Sequence, residues 1–484
     1  MKRFLVFLFL LVLFRPGSVV GQSGDVRPVD IKELKQCIRT LASDEFEGRG
    51  TGEPGQVKAA EYLNGEFARS GVLPLVGESF LVDFPLYIRY REECYIKHGK
   101  KILCDFEDMF CSGIRYSQNR EVEKEVVFGG DGDTAVLNQM DLRGKIVAFF
   151  IPNLRNTISI SDYLAEKGAY GAFYANPENL LQYASVSETT KEHILEKSYS
   201  RDSLERVTTF DTRTRSFVSK FIGERTYLGE FQFKASVLAE LFGKTVSSLK
   251  KAIRNGEITE IPTVNVQALC RRESVCKVVS NVAGIIRGRV DSTLVITAHY
   301  DHLGKKDGVI YPGADDNASG VAAMLQMMRN ISADKKVPHY NVVFVAVTGE
   351  EVGGFLGTNY FLDSTAVGMN IVGNINLDML GRSDDFNLSD QGKCLYAIGN
   401  TEDVLFRPLW ERLADPCAVL VDGKSNELLS DHVVFMKRGI PVLFLTTGDH
   451  ADYHQPTDVW NKIDYNSLKR CTKFACELVR GLIF

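Results

Sequence analysis

The sequence predicts an α/β fold: a mixed, mostly parallel central sheet flanked by helices, with a β-rich domain inserted into it. Three observations predict it. Through the C-terminal half, short apolar runs alternate with stretches of helical periodicity, the pattern of strands joined by crossover helices. Those runs end in polar or glycine-rich loops that carry His, Asp and Glu. Between about residues 84 and 264 the texture changes to short β-like runs among polar loops.

At the start, Lys2 and Arg3 precede an apolar run over residues 4–14, which Arg15, Pro16 and Gly17 break. Small residues follow at 18–21. This is the pattern of a secretory signal peptide over residues 1–21, cleaved near Gly21–Gln22, and its apolar run is too short to span a membrane. The expected location is exported, periplasmic or extracellular. No cysteine lies immediately after the cleavage point, which argues against a lipid anchor, and no later segment has the length and apolarity of a stable membrane span. Cleavage moves the formal charge from −5 to −8. No basic block or basic–aromatic stripe occurs, so nucleic acid is not an expected partner. Length and an apolar fraction of 44% permit a large core and more than one domain.

Residues 22–84 read as the first part of the main domain: a helix at 29–41, a loop at 43–55 and a helix at 56–70. Within the loop, residues 50–55 match G-x-G-x-x-G. A dinucleotide fingerprint must follow a strand, and this one follows a helix, so it is rejected. Residues 85–264 read as the insertion. Strands are expected at 124–128, 145–151, 171–174 and 230–235, and helices at 160–167 and 236–255. It holds only His98 and His193 and no recurring acidic pattern, so no chemistry is assigned to it.

Residues 265–484 read as the second part of the main domain. Cys270 and Cys276 flank a short polar segment and could close a hairpin. Cys471 and Cys476 sit on an expected helix at 467–483, on different faces. With ten cysteines in an exported chain, a mixture of buried thiols and one to three bridges is expected. No C-x-x-C pair occurs, which argues against a cysteine-zinc site. Strand signals return at 281–286.

The stretch at 295–320 organises the rest. An apolar strand at 294–298 ends in His299, Tyr300 and Asp301. A glycine-rich loop then delivers Asp315, Asp316 and Asn317 to the start of a helix at 321–329. A second apolar strand, 341–347, ends in Gly349, Glu350 and Glu351. A third, 372–377, ends in Asp378. A fourth, 441–445, runs into Gly448, Asp449, His450, Tyr453 and His454. Open α/β sheets gather ligands at the carboxyl ends of their strands. Four ends supplying His, Asp and Glu together suggest a shared metal site. Zinc takes His nitrogen and carboxylate oxygen. Two metals ~3.5–4 Å apart can share a carboxylate and a water. Such a centre needs two histidines, two non-bridging carboxylates, a bridging carboxylate and a free carboxylate as base. His299, His454, Asp378, Glu351, Asp316 and Glu350 supply that set.

These stretches resemble the co-catalytic double-zinc aminopeptidase family, which also includes glutamate carboxypeptidases, glutaminyl cyclases and the non-enzymatic transferrin receptors. The matching pieces are His299 to Asp301, Gly313 to Gly320, Gly349 to Glu351, Asn376 to Asp378 and Tyr453–His454. They lie in family order within residues 281–460. The loop at Gly48, Arg49 and Gly50 is also similar, and the insertion resembles a protease-associated domain. The resemblance implies the zinc exopeptidase fold and two Zn2+ ions, with Co2+ or Mn2+ as substitutes. It places His299 and Asp378 on one ion, Glu351 and His454 on the other, and Asp316 between them, followed by a cis peptide bond. Glu350 would be the general base. Asp301 would orient His299, and Tyr453 would hydrogen-bond the developing oxyanion. Asp315 is read as shaping the loop, and His302, His432 and His450 as neighbours rather than ligands.

The implied activity is hydrolysis of the N-terminal peptide bond of a peptide or small amino-acid conjugate, by a water held between the metals. The alternatives are a carboxypeptidase or dipeptidase of the same fold and a catalytically dead, receptor-like binding module. A carboxypeptidase would need a basic receptor for a carboxylate, for which Arg382 and Arg49 are candidates. The sequence leaves the oligomeric state open.

Overall fold

The computed structural model describes residues 27–104, 108–114, 121–151, 157–177, 198–200, 206–211, 216–221, 229–385, 395–399, 403, 405–412, 418–423 and 430–484. The signal-peptide segment and His193 lie outside them.

The fold is mixed α/β, as the alternation predicts. Its centre is the strand Ser292–His299, parallel to Asn341–Val347 on one side and to Asn370–Leu377 on the other. Asn370–Leu377 is in turn parallel to Val442–Thr446. Leu395–Gly399 runs antiparallel to Val442–Thr446 and carries Ala418–Asp422 on its outer edge. Asn341–Val347 is buried along its whole length, and Ser292–His299 nearly so. Continuous apolar runs of this kind suit strands covered on both faces. The chain fills one side of Ser292–His299 before crossing to the other, so the order reverses beside His299. The crevice at such a reversal is where α/β sheets place their ligands.

The helix Gly320–Ser332 packs beneath this sheet and is buried along most of its length. Helix Ile31–Leu41 is capped by Asp30, whose side chain accepts from the Lys32 amide at 2.8 Å, and it buries Leu34, Cys37, Ile38 and Leu41. Helix Pro54–Arg69 begins with proline at its first position, where no amide is needed. Helix Tyr465–Ile483 is capped by Asp464 and buries Leu468, Phe474, Leu478 and Val479. Each such side chain contributes ~1.5–3 kcal/mol by leaving water. No helix among the described residues is long and apolar enough to cross a membrane.

Three expectations are corrected. The strand read at 281–286 is the end of a 23-residue strand, Val264–Ile286. Its polar middle runs straight on because Leu81–His98 pairs with it antiparallel, from Leu81–Val282 to Lys97–Gln267. Cys270 and Cys276 therefore do not flank a turn: Cys270 lies opposite Cys94 and Cys276 opposite Tyr87. Six residues of extended chain span ~20 Å, far beyond disulfide reach. Cys276, Cys37, Cys471 and Cys476 are free thiols. The helix read at 236–255 is two helices, Ala235–Leu241 and Val246–Asn255. Gly243 at φ 64° breaks the first, and Thr245 caps the second in a reciprocal box with Ser248.

The long strand joins two regions. Its end at Val282 to Ile286 pairs with Asn341–Val347, and its start at Val264 to Ala268 pairs with Val122–Phe128. Beyond the latter follow Ile146–Phe150, Gly171–Ala175, Gly229–Phe233 and Met109–Ile114. This second region buries its own apolar clusters, around Phe128, Phe150, Phe173 and Phe231 and around Val147, Phe149 and Tyr174.

Candidate metal centre

The motif loop Gly313 to Gly320 is shaped by its small and polar residues. A Cβ on Gly313 (φ 58°) would meet the Asp316 carbonyl at 2.2 Å and the His302 ring at 2.5 Å. One on Gly320 would meet Asn317 Oδ1 at 2.2 Å and the Leu377 carbonyl at 2.5 Å. Asn317 Nδ2 donates to the Leu377 carbonyl at 2.9 Å, and its Oδ1 accepts from the Gly320 amide at 2.9 Å. Ser319 Oγ donates to the Asp315 carbonyl at 2.8 Å and accepts from the Leu380 amide at 2.9 Å. The loop is thereby fastened to the strand end that carries Asp378. The Asp316–Asn317 peptide is cis.

Asp316 stands at the centre. Its Oδ1 lies 3.3 Å from His299 Nε2, and its Oδ2 lies 3.1 Å from His454 Nε2. His299 Nε2 is also 3.2 Å from Asp378 Oδ1, and His454 Nε2 is 3.2 Å from Glu351 Oε2. The structure thus brings these five side chains together as two His–carboxylate pairs that share Asp316. Donor atoms of His299, Asp316 and Glu351 all lie within 4.8 Å of one another. Spacings of 3.1–3.3 Å match the edge of a tetrahedron around an ion held at ~2.0–2.1 Å. They exceed the ~2.7–2.9 Å of a direct charge-assisted hydrogen bond. The donor set, imidazole nitrogen with carboxylate oxygen, fits zinc.

The electrostatics fit a cation as well. Burial disfavours an ionised Asp316, but the charge of His302 and the close approach of the His299 and His454 imidazoles outweigh it and hold its carboxyl well below the usual range. Burial likewise disfavours a charged His299, yet the carboxylates of Asp378 and Glu350 lift its imidazole well above the ordinary value. Burial pushes the Glu350 carboxyl well up, and the charges of Glu351, Asp431 and Asp378 push it further, with only His299 opposing.

The supporting residues are partly those expected. His299 Nδ1 lies 3.2 Å from the Asp301 backbone carbonyl and 3.9 Å from its carboxylate, so the carbonyl is the nearer partner. The Asp301 carboxylate accepts from Thr51 Oγ1 at 2.6 Å and from the Glu350 amide at 3.4 Å, tying two site loops together. Tyr453 stacks its ring on His454 with centroids 3.9 Å apart. Asp315 accepts from the Gly381 amide at 2.6 Å and lies 3.2 Å from His450 Nε2. His432 stacks on Phe444.

His302, read as a neighbour rather than a ligand, is one: its Nδ1 lies 2.6 Å from Glu351 Oε1, so it holds that carboxylate. Sequence reading missed the part played by two others. The Asp458 carboxylate accepts from the amides of Asp315 and Asp316 at 2.9 and 3.2 Å. Asp431 is buried, accepts from Thr358 Oγ1 at 2.5 Å, and is pushed up to about 7 by burial. Only the acid-rich run at 449–458 hinted at Asp458. The two candidate carboxylate receptors are engaged elsewhere. Arg49 is fully buried and donates to the carbonyls of Leu41, Tyr300, Pro312 and Gly313 at 2.6–2.8 Å. Arg382 is paired with Asp452 at 3.0 Å.

A cavity of about 630 Å3 opens beside the cluster. His299, Asp316, Glu350 and Asp378 line it on the metal-centre side, Met379, Ile398, Val421 and Phe444 give it apolar walls, and Asp384, Asp449 and Tyr453 also face it.

Residues 281–479 match the model of Peptidase family M28. The segment that holds all five clustered side chains is thus an M28 peptidase domain. The chain is 29% identical over 200 residues to a probable leucine aminopeptidase of Trichophyton verrucosum, covering 39% of this chain and 52% of that protein. It is 30% identical over 169 residues to aminopeptidase YwaD of Bacillus subtilis, covering 33% and 29%. The chain spans about half the length of the fungal relatives it matches. Among solved structures, an aminopeptidase from Aneurinibacillus sp. strain AM-1 superposes with TM-score 0.55 at 18% identity, over 94% of both chains. The zinc aminopeptidase BSAP of Bacillus subtilis gives 0.52 at 18%, over 94% and 96%. These two share the fold along nearly the whole chain.

Proposed function

We propose that this chain is an exported zinc aminopeptidase that removes the N-terminal residue of a peptide or amino-acid conjugate. The observation that carries the reading is the division of Asp316, whose two carboxylate oxygens face two different His–carboxylate pairs. On this reading His299 and Asp378 hold one Zn2+, Glu351 and His454 the other, and Asp316 bridges them. When bound, the ions supply Lewis-acid polarisation of the scissile carbonyl and of the attacking water.

The rest falls to side chains. Glu350 takes a proton from the attacking water and later gives it to the leaving amine. Tyr453, beside His454, donates to the oxygen that gains charge on the carbonyl. Asp384 and Asp449 add negative charge around the cavity, which suits a substrate's free amine. The commitments of Arg49 and Arg382 weigh against a carboxypeptidase. Relatives named as aminopeptidases support the reaction class, and the basic-then-apolar start of the sequence supports export. A protease-associated role for the region around 85–264 belongs to the same proposal.

The test is metal content together with turnover of a leucine anilide, in the wild type and in Glu350→Gln. Two zincs in both, with kcat reduced ~10^2–10^4-fold in the variant, is expected. Full activity in Glu350→Gln would refute its role as base. Wild-type protein without metal would refute the centre.

A further inference from the structure

Two imidazoles meet the Glu351 carboxylate, one at each oxygen. Oε2 lies 3.2 Å from His454 Nε2, the spacing of two ligands around one ion. Oε1 lies 2.6 Å from His302 Nδ1. That is a hydrogen-bond length, too short for the edge between two ligands of a common ion. A carboxylate that ligates a metal is ionised and only accepts, so His302 Nδ1 carries the proton. The same nitrogen stands 3.6 Å from Asp316 Oδ2, beyond a hydrogen bond, which leaves Glu351 as its partner.

The His302 ring has no room to turn. Its side chain is fully buried. A Cβ on Gly313 would fall 2.5 Å from its Cγ and Cδ2, so the ring lies flush against that loop. Its backbone is fastened to a segment 250 residues earlier. The His302 amide donates to the Arg49 carbonyl at 3.2 Å, and the Gly304 amide to the Gly48 carbonyl at 3.0 Å. The Arg49 guanidinium donates to the carbonyls of Tyr300 and Gly313, both at 2.8 Å. Glu351 sits instead in a turn after the strand Asn341–Val347. A glutamate side chain is long and rotamer-rich, so holding it in one orientation takes a partner.

We propose that His302 is a positioning residue for one of the two ions: it engages Glu351 Oε1 so that the carboxylate offers the ion Oε2 alone, which sets that ion's affinity and keeps one of its coordination positions open. This rests on the reading of Glu351 as a zinc ligand. It also gives the loop at Gly48, Arg49 and Gly50, which supplies no ligand, a task at the metal centre.

The decisive pair is His302→Leu, which fills the space without a donor, and His302→Asn, whose amide can place an N–H where Nδ1 stood. Zn2+ affinity is measured by competition with a chelator, the Co2+-loaded protein by its visible spectrum, and folding by thermal denaturation of the metal-free protein. His302→Leu should weaken one of the two ions ~10–100-fold and spare the other, and His302→Asn should recover most of the loss. The cobalt bands of that one site should fade in His302→Leu, because a carboxylate released to use both oxygens adds a ligand. In a Glu351→Ala background, His302→Leu should leave the affinity of the remaining ion unchanged, since the carboxylate it acts through is gone. Weakening of that remaining ion would overturn the proposal, as would equal weakening of both ions in His302→Leu alone. A purely structural role would lower the melting temperature in both variants and leave both affinities unchanged, and that result overturns it too. A wild-type protein that binds no metal would instead defeat the metal-centre reading beneath it.

Discussion

Replacing Arg49 by methionine separates scaffold from substrate recognition. The guanidinium is fully buried and reaches four backbone carbonyls, from the first helix, from the end of the His299 strand and from the loop entering Gly313. Burial pushes it down to about 10, against the pull of Asp316, Asp458, Asp301 and Glu351, so it stays charged at neutral pH. Methionine fills part of the space but donates nothing. Four carbonyls lose charged donors worth ~1.5–3 kcal/mol each, offset in part by relief of burying the cation. A net loss of ~3–5 kcal/mol is expected, the range for removing one side of a buried charged contact. At ~2–4 °C per kcal/mol for a domain of this size, the melting temperature should fall by ~6–20 °C. Lysine, with three donors and no fork, should recover part of this. The assays are thermal denaturation and turnover of a leucine anilide beside acid-terminated peptides. Unchanged stability with selective loss of acid-terminated substrates would refute the structural role and revive Arg49 as a carboxylate receptor.

Gly313→Ala places a Cβ against the Asp316 carbonyl and the His302 ring at a positive φ, so it should cost ~1–3 kcal/mol and weaken both ions by displacing Asp316, read by denaturation and metal titration. Asp316→Asn removes the shared charge, and neither ion should be retained after dialysis, with overall fold intact by circular dichroism. Chelation of wild type should lower the melting temperature, and Zn2+ added at 100 times its Kd should restore ~2.7 kcal/mol. Burial alone would raise the Asp452 carboxyl, but Lys462, Thr457 and Arg382 hold it well below the usual range. Its stabilising share is therefore complete above the unfolded value, ~3.9, and is lost as pH falls through the lower folded value. Asp452→Asn should lose less stability than wild type between about pH 4 and pH 2, by denaturant titration at each pH.

The strand ends and the clustering of His299, Asp316, Glu351, Asp378 and His454 were legible because each motif couples an apolar run to the residue that follows it, within a few positions. What escaped the sequence acts over long separations or lacks a periodic signal. Asp458 caps amides 143 residues earlier, and Thr51 reaches Asp301 across 250. Arg49 reads as a loop cation until its four carbonyls are seen together. The polar middle of Val264–Ile286 hides a strand whose partner, Leu81–His98, lies far upstream in the chain. His302 reads as a neighbour of the site, but which carboxylate it holds, Glu351, is not written in a loop sequence, because nothing there says which way a side chain turns.

The pairing of Leu81–His98 with Val264–Ile286 has a consequence for engineering. Phe84 and Val279 are direct cross-strand neighbours, as are Tyr87 and Cys276. Everything between them leaves and returns through one hydrogen-bonded gate a single strand spacing wide. Excising residues 88–275 and joining the ends through an Asn-Gly type I′ turn would ask the peptidase domain for no more than a hairpin. The same gate would accept a foreign domain with adjacent termini, carried at a fixed angle to the sheet that holds Glu350 and Glu351.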